Sequence, residues 1–422
     1  MERFVGLIGI VVIFLIAFLM SNNKKAINLK TVIIGFLLQI FFALFIFKFK
    51  PGEQMFDLIG RFITKILDFA HEGGLFVFGP LLDKPLLASV FGQNSFILTL
   101  EFVCSIIFMM VLVNILYYYG IMQRVVAVLG KAMNKIMKVS GAEALSNVAS
   151  AFVGQIVAQI MIKPYLEKLT RSELLASMAG SMACISGATM PIYISMGIPA
   201  KYLLASSIMA VPGALILAKI IYPETGEPET GNNIKISKRR TFINVFDAIS
   251  NGAGEGMKVA INVTAMILAL VALVALIDWT LGLGGMFIYK YIPGCSHFGF
   301  LNYLSLSYIL GKIFMWFALI LGVPFKDASI VGSLMGTKVV LNEMVAYVNL
   351  SHIISVLHAK SFMIASFALC SFGNFGSIAI QIGGIGELAP NQRKNLARLG
   401  LRALICGTLS CYLSAAIVGV IL

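Results

Sequence analysis

Glu343 is the residue best placed to do chemistry in this chain, because it stands beside Asn342 in the middle of an otherwise apolar segment, residues 326–360. A carboxylate at bilayer depth costs roughly 2.5–3.5 kcal/mol on insertion scales, so it faces a cavity or a partner. Three readings are open: a functional carboxylate, a structural ion pair for which Lys338 is the nearest candidate, or an interfacial location. Gln155, Asn374 and Ser377 are neutral hydrogen-bonding groups in other interrupted apolar segments, beside Gly154, Gly373 and Gly376. Thr189 lies in a further interruption, residues 185–191, which ends on Pro191. Singly, such groups also serve as glue between helices. Together with a carboxylate they suit a polar, uncharged, hydroxyl-rich solute, since Glu accepts from paired hydroxyls and amides both donate and accept. Apart from Lys338 no Lys or Arg stands near the interruptions, which argues against phosphate or carboxylate substrates. The chain does not read as an enzyme. His71, His297, His352 and His358 are dispersed, and no nucleophile–base pair or ligand set emerges. The cysteines (Cys104, Cys184, Cys295, Cys370, Cys406, Cys411) are scattered and read as small core packers.

The elements that must position these groups follow from composition. The 422 residues are 59% hydrophobic and 12% charged, with many apolar runs of spanning length. That is an all-α polytopic membrane protein embedded in a lipid bilayer. The net charge of +13 sits mostly in short loops, so it reads as topology and not as a nucleic-acid surface. No small-residue cleavage site follows the run at 4–20, so it reads as a retained first helix.

The expected order is spans at 5–20 and 31–47, outer amphipathic segments at 50–93, and a third span at 95–119. The loop with Lys24, Lys25 and Lys30 reads as cytoplasmic, placing the N-terminus outside. A surface helix follows at 122–139, then a segment at 141–170 with basic residues before and after it. Basic flanks at both ends mean entry and exit on one face, a re-entrant hairpin, the alternative being one spanning helix with a weak middle. Span four (173–196) is broken at 185–191, and span five covers 202–222. Asp247, Asn251, Glu255 and Lys258 form a polar stripe on an interfacial helix at 242–258, before span six at 259–277 and an apolar run at 303–323. A second hairpin at 326–360 leads to span seven (361–385), broken at 373–377, and span eight (402–422). The total is eight transmembrane helices and two re-entrant hairpins. Gln155 precedes Gly187 by 32 residues and Glu343 precedes Asn374 by 31. Two hairpin-plus-broken-helix units of opposite orientation are an inverted repeat, the signature of a secondary transporter with substrate at the breaks. A passive channel is the rival, less suited to paired hairpins around a carboxylate.

Several stretches carry a more specific likeness. They are Gly154-Gln155, Ile162-Lys163-Pro164-Tyr165-Leu166, Thr170-Arg171-Ser172-Glu173-Leu174 and Asn342-Glu343-Met344-Val345-Ala346-Tyr347. Phe372-Gly373-Asn374-Phe375-Gly376-Ser377-Ile378, Gln381-Ile382-Gly383-Gly384 and Ala397-Arg398-Leu399-Gly400-Leu401-Arg402-Ala403 complete the set. In these, over roughly residues 95–420, the chain resembles the concentrative nucleoside transporter family, of the bacterial nucleoside permease type. The resemblance implies a homotrimer in the cytoplasmic (inner) membrane. Each protomer has a scaffold (1–121 and 241–323, with 303–323 a horizontal external helix) and an elevator-like transport domain (122–240 and 324–422).

It also implies a ribose side made by Glu343, Asn374, Ser377 and Phe372. The base side, typically Gly-Gln-Thr-Glu-Ala-Pro, here reads Gly154-Gln155-Ile156-Val157-Ala158-Gln159. Apolar Ile156 and Val157 replace hydrogen-bonding residues, so the expected ligand is a nucleoside held by its sugar with altered base preference, Gln159 supplying a replacement contact. Another hydroxylated or heterocyclic solute is the alternative. The family's sodium site uses an Asn, a Ser or Thr and backbone carbonyls, and those places hold Ser150, Cys184, Val153 and Ile185. A thiol is a poor partner for a hard cation. The coupling ion is therefore expected to be a proton in preference to sodium, with Glu343 the titratable group and no other cofactor.

Overall fold

A computed structural model of the chain describes residues 2–91, 97–187, 189–231, 242–291, 299, 301 and 304–422, and they are helical with no strand. Cys295, His297 and the starts of the third expected span and of the apolar run at 303 lie outside the described residues, as does Ala188 in the fourth-span break.

The first helices are α1 (Glu2–Leu19), α2 (Leu29–Phe47), α3 (Lys50–Phe78), α4 (Lys84–Phe91), α5 (Leu98–Tyr118) and α6 (Ile121–Met137). Asn28 caps α2 by accepting from the Thr31 amide, a bond type worth about 1 kcal/mol. Amphipathic α3 begins with Pro51 in its first turn, where a missing N–H costs nothing. Its Glu53 and Asp57 pair with Lys201 at 3.3 and 3.1 Å. Helix α6 ends on Lys138, whose φ of 53° turns the chain into the first hairpin.

That hairpin is α7 (Gly141–Val153), α8 (Gln155–Met161) and a short α9 (Lys163–Leu166). Ser140 and Glu143 form a reciprocal capping box at its entry, and Thr170 and Glu173 form another at the start of α10 (Arg171–Ala183). The tip turns at Gly154, whose φ of 86° is left-handed, and a Cβ there would meet Ser186 at 3.1 Å. Span four resumes as α11 (Met190–Ser195) with Pro191 in its first turn, and α12 (Ala200–Ile221) returns.

Helix α13 (Val245–Tyr291) corrects the expected division of the interfacial helix at 242–258 from span six at 259–277: one helix of 47 residues covers both. At 1.5 Å per residue it is about 70 Å long, twice the hydrocarbon thickness. The cause is local, since no proline interrupts 245–291 and each interior glycine costs only about 1 kcal/mol. Gly252 and Gly256 instead seat α13 against Val111 and Ile107 of α5, a small-xxx-small contact, and Glu255 accepts from Asn114 Nδ2 at 3.3 Å.

After α14 (Leu306–Ile320) the chain bends by 118° into α15 (Phe325–Val340), the first arm of the second hairpin, and α16 (Glu343–Ile353) is the other arm. Span seven is α17 (Ala359–Leu369) and α18 (Phe375–Leu388), followed by α19 (Arg393–Ile421). Five described helices (α2, α5, α12, α13, α19) are each long and apolar enough to cross a membrane. The other three expected spans fall on α1 and the broken pairs α10–α11 and α17–α18. The buried core lies where α10, α12, α17 and α19 meet, with α1 and α2 laid against α19 and α12 and α13 running along α5.

Candidate functional site

Each interruption leaves helix ends whose backbone groups need partners, and here backbone bonds tie three of the four interruptions together. The Gly187 amide donates to the Phe152 carbonyl at 3.0 Å, tying the span-four break to the first hairpin tip. The Phe372 amide donates to the Cys184 carbonyl at 3.4 Å, tying the span-seven break to the span-four break. Asn374 caps α18 by accepting from the Ser377 amide at 2.9 Å, as Asn342 caps α16 by accepting from the Val345 amide at 3.0 Å. The asparagines that end the gaps therefore also start the next helices.

From that frame a chain of side chains crosses the four interruptions. Asn374 Nδ2 donates to Glu343 Oε2 at 3.1 Å, and the Ser377 hydroxyl donates to the Phe372 carbonyl at 2.5 Å. Gln155 Nε2 donates to Ser377 Oγ at 3.2 Å, while Gln155 Oε1 accepts from Gln381 Nε2 at 3.4 Å. Of the expected site residues, Glu343, Asn374, Ser377, Phe372 and Gln155 are thus brought together. Two further residues join: Tyr193, which the sequence did not single out, and Gln381, named above only within a matching stretch. Tyr193 Oη donates to Glu343 Oε1 at 3.4 Å, its ring lying 4.4 Å from that of Tyr347, and Gln381 completes the far end. Tyr193 sits two residues after Pro191 in an apolar run, so only its place just past a break signalled it.

The rest divide. Ile156 lies against Gly384 of α18 beside Gln155, while Val157 is 40% exposed. Gln159 is fully buried away from this chain: its amide donates to Ser181 Oγ at 2.8 Å and accepts from Ser177 Oγ at 2.7 Å. It fastens α8 to α10. Thr189 stays within its own break, its hydroxyl 3.1 Å from that of Ser186. Ser150, expected at the cation site, donates to the Ser146 carbonyl at 2.7 Å and meets Ser181 Oγ at 3.0 Å. The Cys184 thiol points to the Ser207 carbonyl at 3.6 Å, and Ile185 is fully buried. The hydroxyl and thiol therefore face helix neighbours, and Val153 stands at the end of α7 where carbonyls lack helical partners.

Lys338 and Glu343 form no direct ion pair; the lysine is fully buried and donates to Thr408 Oγ1 at 3.5 Å. The carboxylate is held by an amide and a phenol, both neutral. A carboxylate so fixed, with amides and a hydroxyl in line beyond it, is arranged to accept hydrogen bonds from vicinal hydroxyls at one end and meet a flatter polar group at the other.

The chain is similar to known proteins along almost its whole length. The family description "Na+ dependent nucleoside transporter N-terminus" matches residues 8–81, "Nucleoside recognition" matches 99–200, and "Na+ dependent nucleoside transporter C-terminus" matches 202–419. An uncharacterised transporter of Bacillus subtilis is 41% identical over 418 residues, which is 98% of each chain. The nucleoside permease NupC of Helicobacter pylori is 37% identical, covering 98% of this chain and 96% of that protein. A solved structure of CNTnw in an inward-facing substrate-bound state is 38% identical, with a TM-score of 0.91 over 100% of this chain and 98% of that one.

Proposed function

This chain belongs to the concentrative nucleoside transporter family, and we propose that it takes nucleosides up across the cytoplasmic membrane by alternating access, driven by a proton in preference to sodium. The observation that carries the reading is the unbroken run Glu343–Asn374–Ser377–Gln155, which joins both hairpin tips to a helix break. Glu343 accepts from the paired ribose hydroxyls. Asn374 and Tyr193 hold its two oxygens in place, so no reorientation is needed when the sugar arrives. Gln155 meets the base, walled by Ile156 in place of a hydrogen-bonding residue. Such a wall excludes little, so the base preference is relaxed.

Proton coupling is supported by the donor set around Ser150 and Cys184. A hard cation wants oxygen, the serine hydroxyl is engaged with Ser146 and Ser181, and the remaining side chain is a thiol. Glu343 is the carboxyl group at the breaks and takes the proton. Movement is elevator-like: 122–240 and 324–422 travel as a transport domain in a homotrimer, which puts the contacts of α1 and α2 with α19 and α12 at the sliding surface.

Uptake of labelled uridine into proteoliposomes, with proton and sodium gradients imposed separately, tests this. An inward proton gradient alone is expected to drive accumulation above equilibrium. Uptake that needs sodium at fixed pH and ignores the proton gradient would reject proton coupling; absence of any nucleoside uptake would reject the substrate.

A further inference from the structure

Five residues before Gln155 stands Ser150, and five before Glu343 stands Lys338. The hairpins therefore hold unlike groups at matched positions, a hydroxyl in the first and an ammonium in the second. Lys338 is fully buried near the C-terminal end of α15. Its Nζ reaches Thr408 Oγ1 of α19 and lies against Gly373, where a Cβ would stand 3.2 Å from the ammonium and 2.9 Å from Thr408 Oγ1. Gly373 leaves room for the cation inside the span-seven break. The titratable groups acting on it are Glu343 and the Cys370 and Cys411 thiols. One long hydrogen bond does not compensate a buried ammonium, and an apolar side chain would pack more cheaply.

We propose that Lys338 is a tethered countercharge for Glu343, which makes the empty transport site electrically neutral and the loaded site singly positive. The inference rests on the carrier reading above. Both charges ride on one hairpin, so any movement of the site takes them through the membrane field together. With Glu343 ionised and no substrate they cancel. A bound proton, or a sodium ion, leaves one net positive charge beside a neutral nucleoside, so the arithmetic holds for either coupling ion. The membrane potential then acts on the loaded step and leaves the empty return untouched. Without Lys338 the assignment inverts: the empty site is negative and the loaded site neutral.

Exchange of labelled for unlabelled uridine isolates the loaded step. It is measured with the full-length protein in proteoliposomes, at saturating uridine, one acid pH and equal sodium on both sides, with the potential clamped by potassium and valinomycin. Wild-type exchange is expected to slow several-fold at 100 mV inside negative, within the roughly 50-fold limit for a whole charge crossing the field, because the positive site is held at the inner face. Lys338→Met and Lys338→Gln are expected to exchange at a rate indifferent to potential, and Lys338→Arg to keep the response. Wild-type exchange that ignores potential overturns the proposal whether or not any variant folds, as does a Lys338→Met protein slowed like wild type. Wild-type protein that exchanges no nucleoside at all rejects the substrate reading instead.

Discussion

The first hairpin is neutral from shaft to tip: Ser150 bonds to Ser146, Ser150 and Gln159 both bond to Ser181 of α10, and Gln155 stands at the turn. The second carries ionisable groups at both places, Lys338 in the shaft and Glu343 at the turn. Charge on the first hairpin is confined to its base, where Glu143 meets Lys219 at 2.8 Å. The two are built on one plan, since the first tip bonds to the span-four break and the second to the span-seven break. What differs is how each grips. In the proposed reading the second hairpin holds the sugar and takes the proton, while the first meets the base through one neutral amide.

That contrast is most easily broken at its charged end. Glu343→Gln removes the carboxyl group that takes the proton and is expected to abolish proton-driven accumulation and lower uridine uptake at least about 100-fold, the scale of roughly 3 kcal/mol. Uptake within a few-fold of wild type would place the sugar elsewhere. Asn374→Ala frees one carboxylate oxygen and uncaps α18; we expect about 30-fold lower uptake, with about 1 kcal/mol lost from stability, read by uptake and thermal unfolding of the same preparation.

The neutral hairpin should respond more mildly and in two distinguishable ways. Gln155→Ala is expected to change the ratio of purine to pyrimidine nucleoside uptake by up to about tenfold, the value of one neutral bond. Gln159→Ala is expected to leave that ratio alone and lower thermal stability, because Ser177 and Ser181 lose their partner at a cost of about 1–3 kcal/mol. The reverse pattern would move the base contact one turn along α8. The smallest effect is expected from Ile156→Thr, which adds a hydroxyl to an apolar wall and should alter competition among bases by only a few-fold.

Much of this contrast was legible in the amino-acid order, because glycine, proline and asparagine leave marks where helices must stop. Gly154, Pro191, Asn342 and Asn374 each stand at an observed interruption. Glu343 was legible because a carboxylate in an apolar run is too costly to leave facing lipid. Gln159 was expected beside Gln155 because helix positions four apart share a face. Gln155, however, begins α8 and reaches out to Ser377, while Gln159 lies under α10. Tyr193 was missed because an aromatic residue in an apolar run looks like packing until its hydroxyl is seen against a carboxylate. The length of α13 was missed for the opposite reason: a change from polar to apolar composition marks a change of surroundings and does not by itself end a helix.

The measurement that bears most directly on the grip by the sugar is competition against labelled uridine uptake by analogues altered at one end only. Nucleosides lacking a ribose hydroxyl are predicted to compete at least about 30-fold more weakly than uridine, while nucleosides with other bases stay within about tenfold. Deoxygenated sugars that compete as well as uridine, combined with strict rejection of other bases, would contradict the account.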